Sequence, residues 1–264
     1  MTKTDATDPG KNGGTNGGNT MQNPDNPGRP RRVLLKISGE SLCEPGGFGV
    51  DHDPLEFIGH EIADACDAGG QIAIVVGGGN IIRGATLAER GDISRAAADH
   101  MGMLGTMINA VALNEKLRRL GLDSTAMSAV GVRGVVDVFN RARALHHIES
   151  RGPLVLGGGT GNPFFTTDTC ASLRAAELDC AEVLKATKVD GVYDSDPAKN
   201  PAAKRFNTLT LSQAVERGLG VMDVAALAMC RDAGVAVRVF RFAEKGNIAR
   251  VVRGEPIGTL VTPG

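Results

Sequence analysis

A chain of 264 residues with 29 basic and 30 acidic side chains carries a formal charge of −1, which gives no electrostatic case for nucleic acid or an anionic membrane surface as partner. No uninterrupted apolar stretch approaches the ~20 residues that a membrane span needs. The five cysteines, at 43, 66, 170, 180 and 230, show neither CxxC nor metal-ligand spacing, so no zinc site is read from them, and the odd count suits reduced thiols in a cytosolic protein.

Residues 1–30 are a separate material. Met1, Ala6 and Met21 are their only apolar side chains, and Gly, Asn, Pro, Asp and Thr fill most of the rest. Ordering them would cost roughly 30–60 kcal/mol of backbone entropy, and three small or flexible apolar groups return less than about 10 kcal/mol. The segment is therefore expected to be a disordered tail, with neither the apolar run of a signal peptide nor an Arg-rich amphipathic pattern. Deleting residues 1–29 should leave activity and melting temperature almost unchanged; a Tm lowered by several degrees would show that the tail docks.

Residues 31–264 have the size of one α/β domain with a substantial core. Short apolar runs rich in Val, Leu and Ile predict buried strands at 33–38, 71–76, 124–127, 153–156, 181–185 and 235–240, with a final strand at 258–262. Between them, 54–68 sets Leu55, Ile58, Ile62 and Cys66 at helical spacing. A longer helix from about 93 to 120 puts Met101, Leu104, Ile108 and Val111 on one face, and 223–233 and 246–253 read as late helices. This alternation predicts a three-layer αβα sandwich with a largely parallel central sheet. Ligands in such sheets sit beyond the carboxyl ends of the strands, where Ser38-Gly39, Gly77-Gly78-Gly79 and Gly157-Gly158-Gly159 fall. No GxxxxGK[ST] occurs, and Ile82 and Asn162 stand where a GxGxxG would need its third glycine. A P-loop and a dinucleotide fingerprint are both absent.

The chemistry-bearing residues follow in chain order. Lys36 lies inside an apolar strand, where an ammonium is expensive unless it meets an anion or snorkels from an edge; Ser38 and Gly39 would add donors from the next turn. Gly77 to Gly79 form a second cradle for a phosphate, with Arg83 able to bridge phosphoryl oxygens. Asp99 could accept both hydroxyls of a ribose, whereas His100 reads as structural. The run from Gly159 to Asp168 joins a glycine-rich bend to a helix start built from Thr166, Thr167 and Asp168, a geometry that favours anions. Phe164 and Phe165 in it face a flat ring or a subunit surface, or else plug the core. Thr187, Tyr193 and Asp196 could contact a base and sugar, while Asp190 and Asp194 read as a solvated turn. Asp223 either caps the helix that follows it or orients Lys36.

Taken together, Lys36-Ile37-Ser38-Gly39-Glu40, Gly77 to Gly84, Asp99 to Met103, Gly159 to Asp168, Leu184 to Tyr193 and Val221-Met222-Asp223 resemble the bacterial uridylate (UMP) kinases of the amino acid kinase family, in order and across residues 31–262. The resemblance implies transfer of phosphate from ATP to UMP in pyrimidine nucleotide biosynthesis. It implies that Lys36, Ile37, Ser38, Gly39, Gly79, Arg83, Thr187, Tyr193 and Asp196 bind ATP, Tyr193 replacing the family's phenylalanine. It likewise implies that Gly78, Asp99, Thr160, Gly161, Asn162, Pro163, Phe164, Phe165, Thr166 and Thr167 bind UMP. Lys36 and Arg83 would stabilise the transferring group and Asp223 would orient Lys36. Mg²⁺ would arrive as MgATP, with no dedicated metal site, and the enzyme would be a cytoplasmic homohexamer inhibited by UTP. Glu44, Pro45, Gly46, Gly47, Phe48 and Gly49 resemble the family's GTP-response segment. Asn114 and Arg118 stand where an arginine and a histidine would be expected to face that effector, and Thr125 where another arginine would. Two rival readings are a relative acting on a carboxylate or carbamate, and a non-catalytic nucleotide-binding or storage assembly.

Overall fold

In the computed structural model the described residues are 22–23, 26–82, 91 and 93–264. Residues 1–21 of the expected tail lie outside them, and so does Arg83. At the end of that tail, β1 (Gln22–Asn23) pairs antiparallel with β2 (Asn26–Pro30) in a ribbon separate from the main sheet, a local pairing that composition alone does not predict.

The body runs β3 (Arg32–Ile37), a short 3₁₀ turn (Gly39–Leu42), α1 (His52–Asp67), β4 (Gln71–Val76), α2 (Arg95–Arg119), β5 (Thr125–Ser128), β6 (Asp137–Val138) and α3 (Arg141–Ser150). It continues with β7 (Leu154–Gly157), α4 (Thr167–Glu177), β8 (Glu182–Thr187), β9 (Thr208–Thr210), α5 (Leu211–Glu216), α6 (Val224–Asp232), β10 (Ala236–Arg241), α7 (Asn247–Val252) and β11 (Thr259–Thr262). Nine strands form one sheet in the order β6-β5-β7-β4-β3-β8-β10-β11-β9. Neighbours are parallel except β10 and β11. The predicted α/β class and largely parallel sheet are therefore observed.

Two cores flank the sheet. Val33, Leu35 and Ile37 of β3 pack with Ile58 and Ile62 of α1, Leu113 and Leu117 of α2, and Ile248 and Val252 of α7. Leu34 of β3 faces the other way, into a core with Ile148 of α3, Ala171 and Ala175 of α4, and Leu227 and Cys230 of α6. Alternation along a strand then sends Lys36 to the same side as Leu34, toward α4 and α6. From β3 the chain steps to β4 on one side while β8 flanks β3 on the other, so a crevice opens at the carboxyl ends of these strands.

Helix α2 turns the apolar face read from the sequence away from the sheet. Its sheet-facing stripe is Met103, Met107, Ala110, Leu113 and Leu117, whereas Met101, Leu104, Ile108 and Val111 are exposed, Leu104 and Ile108 at 52% each. The helix carries apolar side chains on two faces, and periodicity by itself does not rank them.

Candidate active site

Three glycine-rich turns meet at the strand ends. Gly39 presses its backbone against the second cradle: a Cβ there would stand 2.7 Å from the Gly77 carbonyl oxygen and 2.3 Å from Asn80 Oδ1. A Cβ on Gly78 would lie 2.8 Å from the Gly102 carbonyl oxygen of α2. Both positions accept only hydrogen, because the obstructing atoms are largely backbone. Beneath the cradles, Asn80 and Asn109 are buried and exchange amide hydrogen bonds. Asn109 also donates to the Gly77 carbonyl at 2.7 Å, and Asn80 donates to the Gly49 carbonyl at 2.5 Å. The segment 44–49 is thus anchored to the cradle at Gly49, while its Phe48 is 76% exposed.

The third turn follows β7. Gly158, Gly159, Gly161 and Phe164 take positive φ, Phe164 at 72°, a conformation that costs a bulky residue energy and needs local support. That support includes Asp99, whose Oδ2 accepts the Phe164 N–H at 2.8 Å while Arg95 Nε donates to both carboxylate oxygens, at 2.9 and 3.0 Å. Thr166 caps α4, its hydroxyl accepting from the amides of Asp168 and Thr169. An open pocket of about 560 Å³ results. Gly78, Gly79, Asp99, Asn162, Phe165, Thr166 and Thr167 line it, whereas Thr160, Gly161, Pro163 and Phe164 belong to the loop but not to the wall.

A second pocket, of about 970 Å³, opens beyond the end of β8. Thr187, Tyr193 and Asp196 line it together with the segment 217–221. Tyr193 donates its hydroxyl proton to Asp190 Oδ1 at 2.7 Å, so its ring is held from one edge. Asp190 also pairs with Arg205 at 3.2 Å, a more specific role than a solvated turn.

A charge cluster joins the two pockets. Lys36 Nζ pairs with Asp168 Oδ1 at 2.9 Å. Lys185, the register partner of Lys36 on β8, donates to Asp168 Oδ2 at 2.7 Å and to the Val221 carbonyl at 2.5 Å. Burial would raise the Asp168 carboxyl, but Lys36 and Lys185 together hold it below the usual carboxylate range. Burial also pushes the Lys185 ammonium down, and the neighbouring Lys36 adds to that, against the pull of Asp168. Two ammoniums share one carboxylate here, so the cluster is poised for an additional anion.

The carboxylate paired with Lys36 is Asp168, and of the two readings of Asp223 the structure shows the helix cap. Asp223 caps α6 by accepting from the Ala226 amide at 2.9 Å, and it accepts the hydroxyl protons of Thr166 at 2.5 Å and Thr169 at 3.1 Å. It clasps the start of α4 to the start of α6. Asp168 and Lys185 were both missed as site residues. Lys185 carried the signal used for Lys36, an ammonium ending an apolar strand; Asp168 was legible only as a helix-start acid. Among the described residues no group of three or more His, Cys, Asp or Glu is placed to hold a metal ion. None of the described helices is long and apolar enough to cross a membrane.

Residues 31–241 match the model of the amino acid kinase family. The chain is 48% identical over 231 residues to a uridylate kinase of Xanthomonas euvesicatoria pv. vesicatoria, covering 88% of this chain and 96% of that protein. It is 46% identical to a uridylate kinase of Legionella pneumophila, covering 88% and 93%. A solved UMP kinase from Bacillus anthracis superposes with a TM-score of 0.85 at 39% identity, covering 88% and 96% of the two chains.

Proposed function

The chain belongs to the amino acid kinase family, and from that premise we propose that it transfers the γ-phosphoryl group of ATP to UMP, giving ADP and UDP for pyrimidine nucleotide biosynthesis. The observation that carries this reading is the pocket walled by Asp99, Phe165, Thr166 and Thr167 beside the Lys36–Asp168–Lys185 cluster. A nucleoside monophosphate is a phosphate, a sugar diol and a flat ring, and the pocket offers a helix N-terminus, a carboxylate and an aromatic side chain for them.

Phosphoryl transfer asks a protein for positioning and charge neutralisation rather than covalent chemistry. UMP lies with its phosphate against Thr166 and Thr167 and its ribose on Asp99. ATP lies with its adenosine in the pocket of Thr187, Tyr193 and Asp196 and its phosphates over Ser38, Gly39 and Gly79. Lys36 meets the transferring group where charge develops, and Arg83, which falls outside the described residues, is assigned to the same task from sequence. Mg²⁺ enters as MgATP, held by phosphates and water, since Asp168 and Asp223 are already engaged by lysines and threonines.

An ADP-release assay with UMP, CMP, glutamate and no acceptor tests the reading. UMP-dependent release is expected; release with glutamate would favour the carboxylate-directed rival, and no release with any acceptor the non-catalytic one. Asp99→Asn should raise the KM for UMP at least about tenfold, as one charge-assisted contact is lost, with the KM for ATP nearly unchanged. An equal rise in both would make Asp99 structural, as its bond to the Phe164 amide allows.

The exposed stripe Met101, Leu104, Ile108 and Val111 supports self-association, in keeping with a cytoplasmic homohexamer. UTP, which carries the uridine of UMP, should inhibit through the acceptor pocket. GTP should activate weakly or not at all. Asn114 is occupied in accepting the Ser124 hydroxyl proton at 2.8 Å, and neither it nor Thr125 supplies a guanidinium for a triphosphate. At subsaturating UMP, several-fold stimulation by millimolar GTP would refute the second expectation, and indifference to UTP the first.

A further inference from the structure

Helix α2 buries two polar side chains one turn apart. Thr106 is 3% exposed and Asn109 is fully buried, on the face where an amphipathic helix ordinarily sets aliphatic side chains. Burying a hydroxyl or an amide costs free energy unless its hydrogen bonds are made, and these two reach different glycine turns. The Thr106 hydroxyl donates to the Met103 carbonyl at 2.7 Å and accepts the Gly158 N–H of the third turn at 2.8 Å. The Asn109 amide donates to the Gly77 carbonyl of the second cradle at 2.7 Å and to Asn80 Oδ1 at 2.6 Å. Its oxygen accepts from the Asn80 amide at 3.1 Å. The helix backbone lies as close: a Cβ on Gly78 would stand 2.9 Å from the Thr106 nitrogen, and one on Gly157 3.2 Å from Met107 Cα. Two turns that leave different strands, β4 and β7, are therefore fixed to one rigid element.

Resting on the kinase reading, we propose that Thr106 and Asn109 are positioning residues for phosphoryl transfer, holding the second and third glycine turns on α2 at the spacing that the transfer needs. Asn109 acts through the Gly77 carbonyl on the cradle assigned to both nucleotides, at Gly78 and Gly79. Thr106 acts through the Gly158 amide on the turn that leads to Thr166 and Thr167 at the acceptor phosphate. Each nucleotide also has grips of its own, Asp99 for the acceptor and the pocket of Tyr193 and Asp196 for the donor. Loosening one turn therefore costs alignment more than ground-state binding, and a loss of that kind falls on kcat rather than on KM.

The test compares the full-length protein with Thr106→Val, Thr106→Ser and Asn109→Leu. Valine keeps the shape of threonine without the hydroxyl, serine keeps the hydroxyl, and leucine fills the asparagine volume without polar atoms. Steady-state ADP release gives kcat and both KM values, and calorimetric titration with UMP counts the sites that still bind. Thr106→Val is expected to lower kcat per binding site at least about tenfold and Asn109→Leu at least about thirtyfold, within the ~10² that a misplacement of about 1 Å costs. Both KM values should stay within about threefold, and Thr106→Ser should recover at least about a third of wild-type kcat. Fewer binding sites at unchanged kcat per site would make the pair a stability element and overturn the proposal. Serine no better than valine, or KM values that rise about tenfold at unchanged kcat, would overturn it too. Should Asn109→Leu fail to fold, Asn109→Asp keeps the shape and the bond from Asn80 and carries the same readings; loss of the fold in both overturns the proposal. Hydrogen exchange judges the tethers without turnover. The Gly158 amide should exchange at least about tenfold faster in Thr106→Val, and so should the Ile81 and Ile82 amides, which donate to the Gly78 carbonyl, in Asn109→Leu. Unchanged exchange overturns the proposal. Wild-type protein that binds both nucleotides but releases no ADP with UMP refutes the kinase reading instead, and the exchange rates of the variants still judge the two tethers.

Discussion

Lys36→Met is expected to lower kcat by at least about 10²–10³, the usual cost of removing one preorganised transition-state donor, while UMP affinity and the fold stay close to wild type. Met matches the lysine stem in length and leaves no orphaned charge, because Asp168 keeps its hydrogen bond from Lys185. Lys36 pairs with Asp168 at 2.9 Å but carries three N–H donors, so the loss falls on the phosphoryl group in flight. Differential binding of that kind appears in kcat rather than in KM. Steady-state ADP release decides it: a variant with more than a tenth of wild-type kcat would remove Lys36 from the transfer step.

Asp168→Asn should have the second large effect, and on stability as well as rate. The carboxylate is the shared counter-charge of Lys36 and Lys185, whose side chains are 12% and 16% exposed. Removing it leaves two neighbouring ammoniums largely buried without an anion, and breaking a buried pair in this way costs about 3–5 kcal/mol. The sign with pH follows from the Asp168 carboxyl being held below its ordinary range by the two lysines. Its contribution is complete above the unfolded carboxyl pKa of about 3.9 and is lost as pH falls through the lower folded value. Urea unfolding at neutral pH should therefore show a loss of several kcal/mol in the variant, and the gap to wild type should narrow under acid conditions. A loss below about 1 kcal/mol at neutral pH would mean that the lysines find other partners.

The divide between what was legible and what was not follows the range of the interactions. Strands at 33–38, 71–76 and 235–240 were legible because apolar runs bounded by glycine and polar residues are local signals, and they appear as Arg32–Ile37, Gln71–Val76 and Ala236–Arg241. The helix Arg141–Ser150 was not read, since its three buried side chains, Ala144, His147 and Ile148, are scattered among charged and polar neighbours. Strands β6 and β9, of two and three residues, are too short to carry a pattern at all.

The sequence by itself determined the fold class, the positions of the glycine cradles at strand ends and the family, because each rests on residues close together in the chain. Which stripe of α2 meets the sheet, and which carboxylate meets Lys36, only the tertiary structure decided. Two apolar stripes on one helix are equivalent until a sheet is laid against one of them. Asp168 and Asp223 are likewise equivalent candidates until the register of β3 with β8 sets Lys36 beside Lys185 and the start of α4 supplies one carboxylate to both. Helix capping then claims the other: Asp223 accepts the Ala226 amide and the Thr166 and Thr169 hydroxyl protons, and a carboxylate engaged by three donors has little left to offer a lysine.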